Sequence, residues 1–147
     1  YFILELLLTI RINSTMLKIT KKVEYALIAV RHLHNKKNNK LCTSREIADF
    51  YNIPKPLLAK ILQILSKRNI ISAVKGPYGG YKISKNSTKI KMTQFFEILE
   101  GPMGLVDCQY NSDCLQIDCC SIKDPINRIN NSVKSLFDKM TLAEITY

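Results

Sequence analysis

The stretch Ser44–Ser84, SREIADFYNIPKPLLAKILQILSKRNIISAVKGPYGGYKIS, carries two periodicities, and the change from one to the other decides the fold. Leu57, Leu58, Ile61, Leu62, Ile64 and Leu65 recur at helical spacing, while Lys55, Ala59, Lys60, Gln63 and Lys67 lie mostly off that stripe. After Asn69 come two short β-branched or aromatic runs around Gly76, Pro77, Gly79 and Gly80. That is the composition of a hairpin, with Lys75, Lys82 and Lys85 placed along it. A helix with an apolar inner face and a basic outer face is thus followed by a glycine-tipped basic hairpin.

Upstream, Thr43 and Glu46 have capping-box spacing: the threonine hydroxyl can accept from the backbone N–H of Glu46, and the glutamate can reach back to that of Thr43. Cys42 and Ile47 occupy the flanking apolar positions, which makes Cys42 a buried structural thiol. This short helix is expected to end near Phe50, with Pro54 opening the next one at its first helical position. From Lys18 to about His34, the residues Ile19, Val23, Ala26, Leu27, Val30 and Leu33 predict a first helix with one buried face. Thr20 would be its N-cap, and a polar break over Asn35–Lys40 follows. A further helix is expected from about Thr93 to Glu100, stopped at Gly101 and Pro102. The sum is a mainly α fold with a small β-hairpin wing, a winged helix-turn-helix over residues 16–101.

Charge follows the same division. Of a formal net charge of +10, residues 16–101 hold 17 Lys+Arg against 5 Asp+Glu, and residues 102–147 hold 4 against 6. The first part is built to meet a polyanion and the second is not. An α-helix fits the major groove of double-stranded DNA. The expected contacts are therefore Thr43 and Ser44, then Lys55, Ala59, Lys60 and Gln63 on the outer helix face, then Lys75, Gly76, Tyr78, Gly79, Tyr81 and Lys82 on the wing. Gly76, Gly79 and Gly80 allow close backbone approach.

The first fifteen residues contain an apolar run from Phe2 to Ile10 that is too short to span a membrane and is interrupted by Glu5. With no basic stretch before it and no small-residue cleavage site after it, it does not read as an export signal. Residues 1–15 are expected to be a non-native or disordered extension ahead of a start at Met16, and the protein to be cytoplasmic, where thiols stay reduced.

Residues 102–123 hold four of the five cysteines, Cys108, Cys114, Cys119 and Cys120. A reducing compartment and an odd cysteine count argue against a disulfide framework. Structural zinc sites favour C-x2-C knuckles, whereas Cys108, Cys114 and Cys120 are separated by two gaps of five residues, a loop able to wrap a larger object such as an iron–sulfur cluster. The loop contains no histidine to act as a base, which leaves an enzyme with a cysteine nucleophile unsupported. Residues 124–147 follow, with Asp124 as N-cap and Pro125 at the first position of a longer helix. Ile126, Ile129, Val133, Leu136 and Met140, with Phe137 beside them, form a seam spaced 3, 4, 3 and 4 that either lies on its own domain or pairs with a copy of itself in a homodimer. Thr141 to Glu144 repeats the capping-box signature and starts a final turn.

The segments MLKITKKVEYALIAVRHL, SREIADFYNIPKPLLAKILQILSKRNIISAVKGPYGGYKIS, MTQFFEILEG and MTLAEI resemble the IscR and NsrR family of bacterial transcription regulators. The likeness covers nearly everything from Met16 onward, and Gly76–Tyr81, Gly-Pro-x-Gly-Gly-Tyr, is its most specific signature. The resemblance implies a dimeric winged-helix regulator whose long C-terminal helix pairs the subunits. It also implies an iron–sulfur cluster, 2Fe-2S or 4Fe-4S, held by Cys108, Cys114 and Cys120 and controlling affinity for a palindromic operator. Zinc, or reactive thiols without a metal, is the alternative. IscR-type members supply a histidine three residues after the last cysteine, where this chain has Lys123. NsrR-type members use an acidic residue of the partner's first helix ahead of an aromatic, which corresponds to Glu24 before Tyr25. Glu24 stands between that role and an ordinary solvated glutamate at a helix start. Cys119 falls outside the register, as a neighbour or as an alternative thiolate.

Overall fold

Thr20 starts the first helix by accepting at its hydroxyl from the N–H of Val23, 3.3 Å away. The computed structural model describes residues 18–36, 38, 40–105 and 114–147, so the expected extension over residues 1–15 and Cys108 lie outside the described residues. Helix α1 (Lys21–His34) is followed by α2 (Ser44–Tyr51), α3 (Lys55–Lys67), strands β1 (Ile71–Val74) and β2 (Gly80–Ile83), a 3-10 helix (Lys85–Lys89), α4 (Met92–Glu100), α5 (Lys123–Asp138) and α6 (Leu142–Thr146). This is the expected mainly α fold with a two-stranded antiparallel wing.

The inner faces of α1 and α3 meet in the core. Val23, Ala26, Val30 and Leu33 pack with Leu58, Ile61, Leu62 and Leu65, all essentially removed from water. Each of the larger side chains contributes about 1.5–3 kcal/mol by burial. Ile19, expected on the buried face of α1, is 52% exposed, because Thr20 caps the helix one residue after it and leaves it outside the helical register. Lys22 donates to the Leu99 carbonyl and the Thr20 hydroxyl donates to Glu100 at 2.6 Å, which ties the start of α1 to the end of α4.

The capping box of α2 forms as expected, with Glu46 N–H to Thr43 Oγ1 at 3.1 Å and Thr43 N–H to Glu46 Oε2 at 2.7 Å. Asn52, left-handed at φ 52°, ends the helix, and Ile53 N–H donates back to the Ala48 carbonyl at 2.9 Å to make the tight turn into α3. Pro54 sits one residue earlier than expected, in the cap position, and Pro56 lies in the first turn. First-turn N–H groups have no intrahelical partner, so proline is tolerated throughout the turn and does not mark its first residue. Pro125 shows the same effect: α5 begins at Lys123, two residues before it, with Ile122 rather than Asp124 at the cap.

The wing pairs Ile71 with Ile83, Ser72 with Lys82, Ala73 with Tyr81 and Val74 with Gly80. A third segment joins it, since Cys42 N–H donates to the Tyr81 carbonyl at 2.9 Å and Tyr81 N–H to the Cys42 carbonyl at 2.8 Å. A Cβ on Gly80 would lie 2.7 Å from the Cys42 oxygen, so the approach requires glycine. Lys85, read as part of the hairpin, instead opens the 3-10 helix, because the Ser84 hydroxyl accepts from Asn86 N–H and turns the chain out of the strand.

The C-terminal half of α5 docks on α4. Phe137 makes an edge contact with Phe96 at 4.9 Å, Lys134 pairs with Glu97 at 3.0 Å, and Met140 packs against the core. The expected seam is divided: Met140 turns inward, Ile126 and Val133 are half-buried, and Ile129 and Leu136 are exposed. Helix α6, capped by the Thr141–Glu144 box, returns to the winged domain through Leu142 N–H to the Ile90 carbonyl at 2.8 Å and Met92 N–H to the Met140 carbonyl at 2.9 Å.

Leu142 is fully buried in the same core as α1 and α3. Leu142→Ala should therefore cost about 2–5 kcal/mol, read as a lower urea midpoint at unchanged slope; a loss below 1 kcal/mol would mean that α6 does not belong to this core. The α2 box adds a pH dependence. Hydrogen bonding from the Thr43 backbone holds the Glu46 carboxyl below its ordinary 4.5, so its stabilisation is complete above that value and is lost as pH falls through the lowered one. Glu46→Gln should flatten the fall in melting temperature across that acid window.

Candidate nucleic-acid interface and cysteine loop

Helix α3 packs one face into the core and, after three intervening residues, the chain enters β1, which packs against it and brings the wing beside the helix. Lys55, Lys60 and Gln63 are exposed on that face and Ala59 is half-buried. Lys55 is held by Asp49 of α2 at 2.8 Å in a solvent-exposed pair. Such pairs contribute at most about 1 kcal/mol, so the ammonium remains available to a phosphate.

Thr43 and Ser44 stand at the N-terminus of α2, where the capping box engages both the hydroxyl and the N–H of Thr43. On the wing, Lys75 and Gly76 are exposed and Tyr78 is 93% exposed at the tip. Gly79 closes the turn by donating to the Gly76 carbonyl at 3.0 Å; a Cβ there would come within 2.2 Å of the Val74 oxygen. Tyr81 is half-buried with its ring against the core, while Lys82, its neighbour along the strand, takes the opposite face. Lys36 and Lys40 reinforce the positive potential near Thr43, since both act electrostatically on Cys42 and Glu46. Sequence reasoning had placed them only in a polar break, although the density of lysine in NKKNNK is the signal that marks them.

The two histidines of α1 point different ways. His32 Nδ1 lies 3.3 Å from the Tyr51 hydroxyl, with the Phe50 and Tyr51 rings around it, and burial pushes its pKa down. His34 stacks on Tyr147 at 3.6 Å.

In the cysteine loop, Cys114 and Cys120 are half-buried free thiols and Cys119 is an exposed one. The chain between them is wound into turns by Ile117 N–H to the Cys114 carbonyl and Cys119 N–H to the Gln116 carbonyl, both 3.1 Å. The Cys119 sulfur lies 3.6 Å from the Gln116 oxygen. Among the described residues no three His, Cys, Asp or Glu side chains gather into a metal-binding group. The fifth cysteine, Cys42, is buried in the core, and burial raises its thiol pKa, as suits a structural role. Glu24 pairs with Lys21 at 2.7 Å and lines an apolar groove with Leu27, Ile28, Arg31 and Ile145.

A family model described as "Rrf2: Iron-dependent Transcriptional regulator" matches residues 19–147. The HTH-type transcriptional regulator NsrR of Bacillus licheniformis is 27% identical over 132 residues, 88% of this chain and 92% of the relative. A putative HTH-type transcriptional regulator of Aquifex aeolicus is 41% identical over 76 residues, 52% of each. Among solved structures, CymR (YrzC), the global cysteine regulator of B. subtilis, superimposes with a TM-score of 0.67 at 26% identity, covering 89% of this chain and 97% of that one. T. potens IscR superimposes with a TM-score of 0.67 at 22% identity, covering 90% and 88%, a likeness of fold. The winged helix-turn-helix of α1 to β2 with its C-terminal helices, and a match that extends over all but the first residues, establish that this chain belongs to the Rrf2 family of winged-helix transcriptional regulators.

Proposed function

We propose that this regulator is a homodimer whose affinity for an operator in double-stranded DNA is set by the chemistry of the Cys108–Cys120 loop. The observation that carries the reading is the position of two free, half-buried thiols, Cys114 and Cys120, in the turns that lead into α5, the helix whose Phe137 packs on the DNA-reading domain. A change in how those sulfurs are engaged acts directly on the start of that helix.

The preferred loop ligand is an iron–sulfur cluster held by Cys108, Cys114 and Cys120. The described donors fit it chemically: they are soft thiols unpaired in disulfides, and more spread out along the chain than a zinc knuckle. Bound there, the cluster would supply a redox- and ligand-sensitive group whose loss frees the loop. The fourth donor assigned here is Glu24 of the opposite protomer, with Cys119 as the alternative. A carboxylate among thiolates gives a weaker hold on iron, which suits a sensor of iron–sulfur status, nitric oxide or redox state. The second reading, thiol chemistry or zinc without a cluster, draws on the likeness to CymR, named as a cysteine regulator, and on the exposure of Cys119.

The dimer follows from α5. Ile122, Ile129 and Leu136 stand exposed at seven-residue intervals, a ridge that a second copy covers by two-fold symmetry. Two α3 helices related by that axis would read a palindrome. No helix among the described residues is long and apolar enough to cross a membrane, and the thiol chemistry suits the reducing cytoplasm. In this reading Thr43, Ser44, Lys55, Lys60, Lys75 and Lys82 position the backbone of the DNA. Ala59 and Gln63 meet base edges, and Gly76, Tyr78, Gly79 and Tyr81 shape the wing against the adjacent groove.

Two measurements test this. With a duplex enriched from a random-sequence pool, Lys60→Ala should weaken binding at every sequence and reduce the salt dependence by about one phosphate contact; an unchanged slope would remove the Lys60–phosphate contact. Anaerobically purified wild type should carry iron and sulfide and show a visible absorption band. Cys114→Ala should lose all three while remaining a folded dimer, and the loaded and stripped wild-type forms should differ in duplex affinity by about 5–150-fold. Iron retained in Cys114→Ala overturns the ligand assignment, and one zinc per chain supports the second reading.

A further inference from the structure

We propose that the contact between Tyr147 and Ser87 is a latch joining the C-terminal helices to the root of the wing, so that both are positioning residues for DNA binding and relay the state of the cysteine loop; the relay rests on the function proposed above. Strand β2 ends at Ile83, and the 3-10 helix that follows fixes where the hairpin leaves the body of the domain. Ser87 is the fully buried residue of that helix. Its hydroxyl donates its single proton to the Ser84 carbonyl at 2.7 Å, so the Tyr147 hydroxyl, 2.6 Å away, is the donor to Ser87. The Tyr147 ring lies flat on His34 in the last turn of α1, at 3.6 Å and 9°. One side chain thus clamps the wing root against the first helix.

The other end of the connection is equally defined. Tyr147 directly follows α6, and α6 is tied to the segment between the wing and α4 by Leu142 N–H to Ile90 and Met92 N–H to Met140, either side of the Lys91–Thr141 bridge. Those bonds hold the point at which α5 ends. Helix α5 in turn begins three residues after Cys120. A shift at the head of α5 therefore reaches the wing along a continuous path of one helix, a short ladder, α6 and the Tyr147–Ser87 bond. Backbone–backbone bonds also anchor the wing, at Cys42 with Tyr81 and at Ser84 with Ile70, but neither is linked to the loop.

Tyr147→Phe keeps the ring on His34 and removes only the hydroxyl. Amide exchange at Tyr81 and Ser84 should quicken relative to Ile61 and Leu62, which report global unfolding. Affinity of the metal-stripped protein for the enriched duplex should fall about fivefold, the scale of one neutral hydrogen bond. The affinity ratio between loaded and stripped protein should shrink toward one. Ser87→Ala should do the same, and the double variant should be no weaker than Ser87→Ala alone. A lowered melting temperature with unchanged wing exchange and duplex affinity would make the bond merely structural and overturn the latch. A wild-type response to loading that survives intact in Tyr147→Phe would overturn the relay. A wild type that shows no response to loading would instead refute the proposed function, and the latch would then be decided by wing exchange and stripped-protein affinity.

Discussion

The DNA-reading half of the molecule depends on the backbone pairing of Cys42 with Tyr81. A two-stranded hairpin is marginal in water by itself, and this one has only four residues in each strand. Cys42 adds a third edge, buries its thiol in the core, and is followed at once by the capping box that starts α2. One short segment therefore fixes three things: the seat of the wing, the entry of α2, and through Asn52 and Ile53 the turn into α3. Gly80 is the complementary requirement, since any side chain there would push the Cys42 carbonyl away and open the wing.

The second half of the chain works differently. No residue of α5 is fully buried. The helix is held to α4 by Phe137 and the Lys134–Glu97 pair near its end, while its start carries Ile122 and Ile129 into solvent. An element anchored at one end and apolar at the other is suited to transmit a change made at its free end. That end is where the cysteine loop joins. The charge division agrees with this arrangement, because the net positive charge is confined to the winged part.

Local chemistry made much of this fold legible in the sequence. The Thr43–Glu46 and Thr141–Glu144 boxes act within four residues, and the stripe from Leu58 to Leu65 repeats often enough to fix its face. The boundaries that moved were those marked by Pro54 and Pro125, because proline is accepted anywhere in a first turn. Ile19 fitted the period of α1 but lay beyond its cap. The contacts that sequence reasoning missed join distant residues: Cys42 with Tyr81, Ser87 with Tyr147, and Leu142 with the core of α1 and α3. No periodicity reports them. Tyr81 marks the limit for the interface, since in a strand a one-residue slip exchanges the two faces, and only the tertiary fold shows its ring turned to the core.

The same reasoning bears on Glu24, whose bond to Lys21 gives it an ordinary role at a helix start. That bond is no obstacle to ligation. Both side chains are well exposed, at 65% and 45%, and exposed pairs of this kind hold by less than about 1 kcal/mol. What constrains Glu24 is position: it opens onto a groove lined by Leu27, Ile28 and Ile145, apolar residues that a second chain could cover. Under the proposed function, a carboxylate so placed would join the thiolates across the dimer interface. In the proposed dimer, completion of the site would require assembly, so a weakened subunit contact lowers metal retention even where every cysteine is intact.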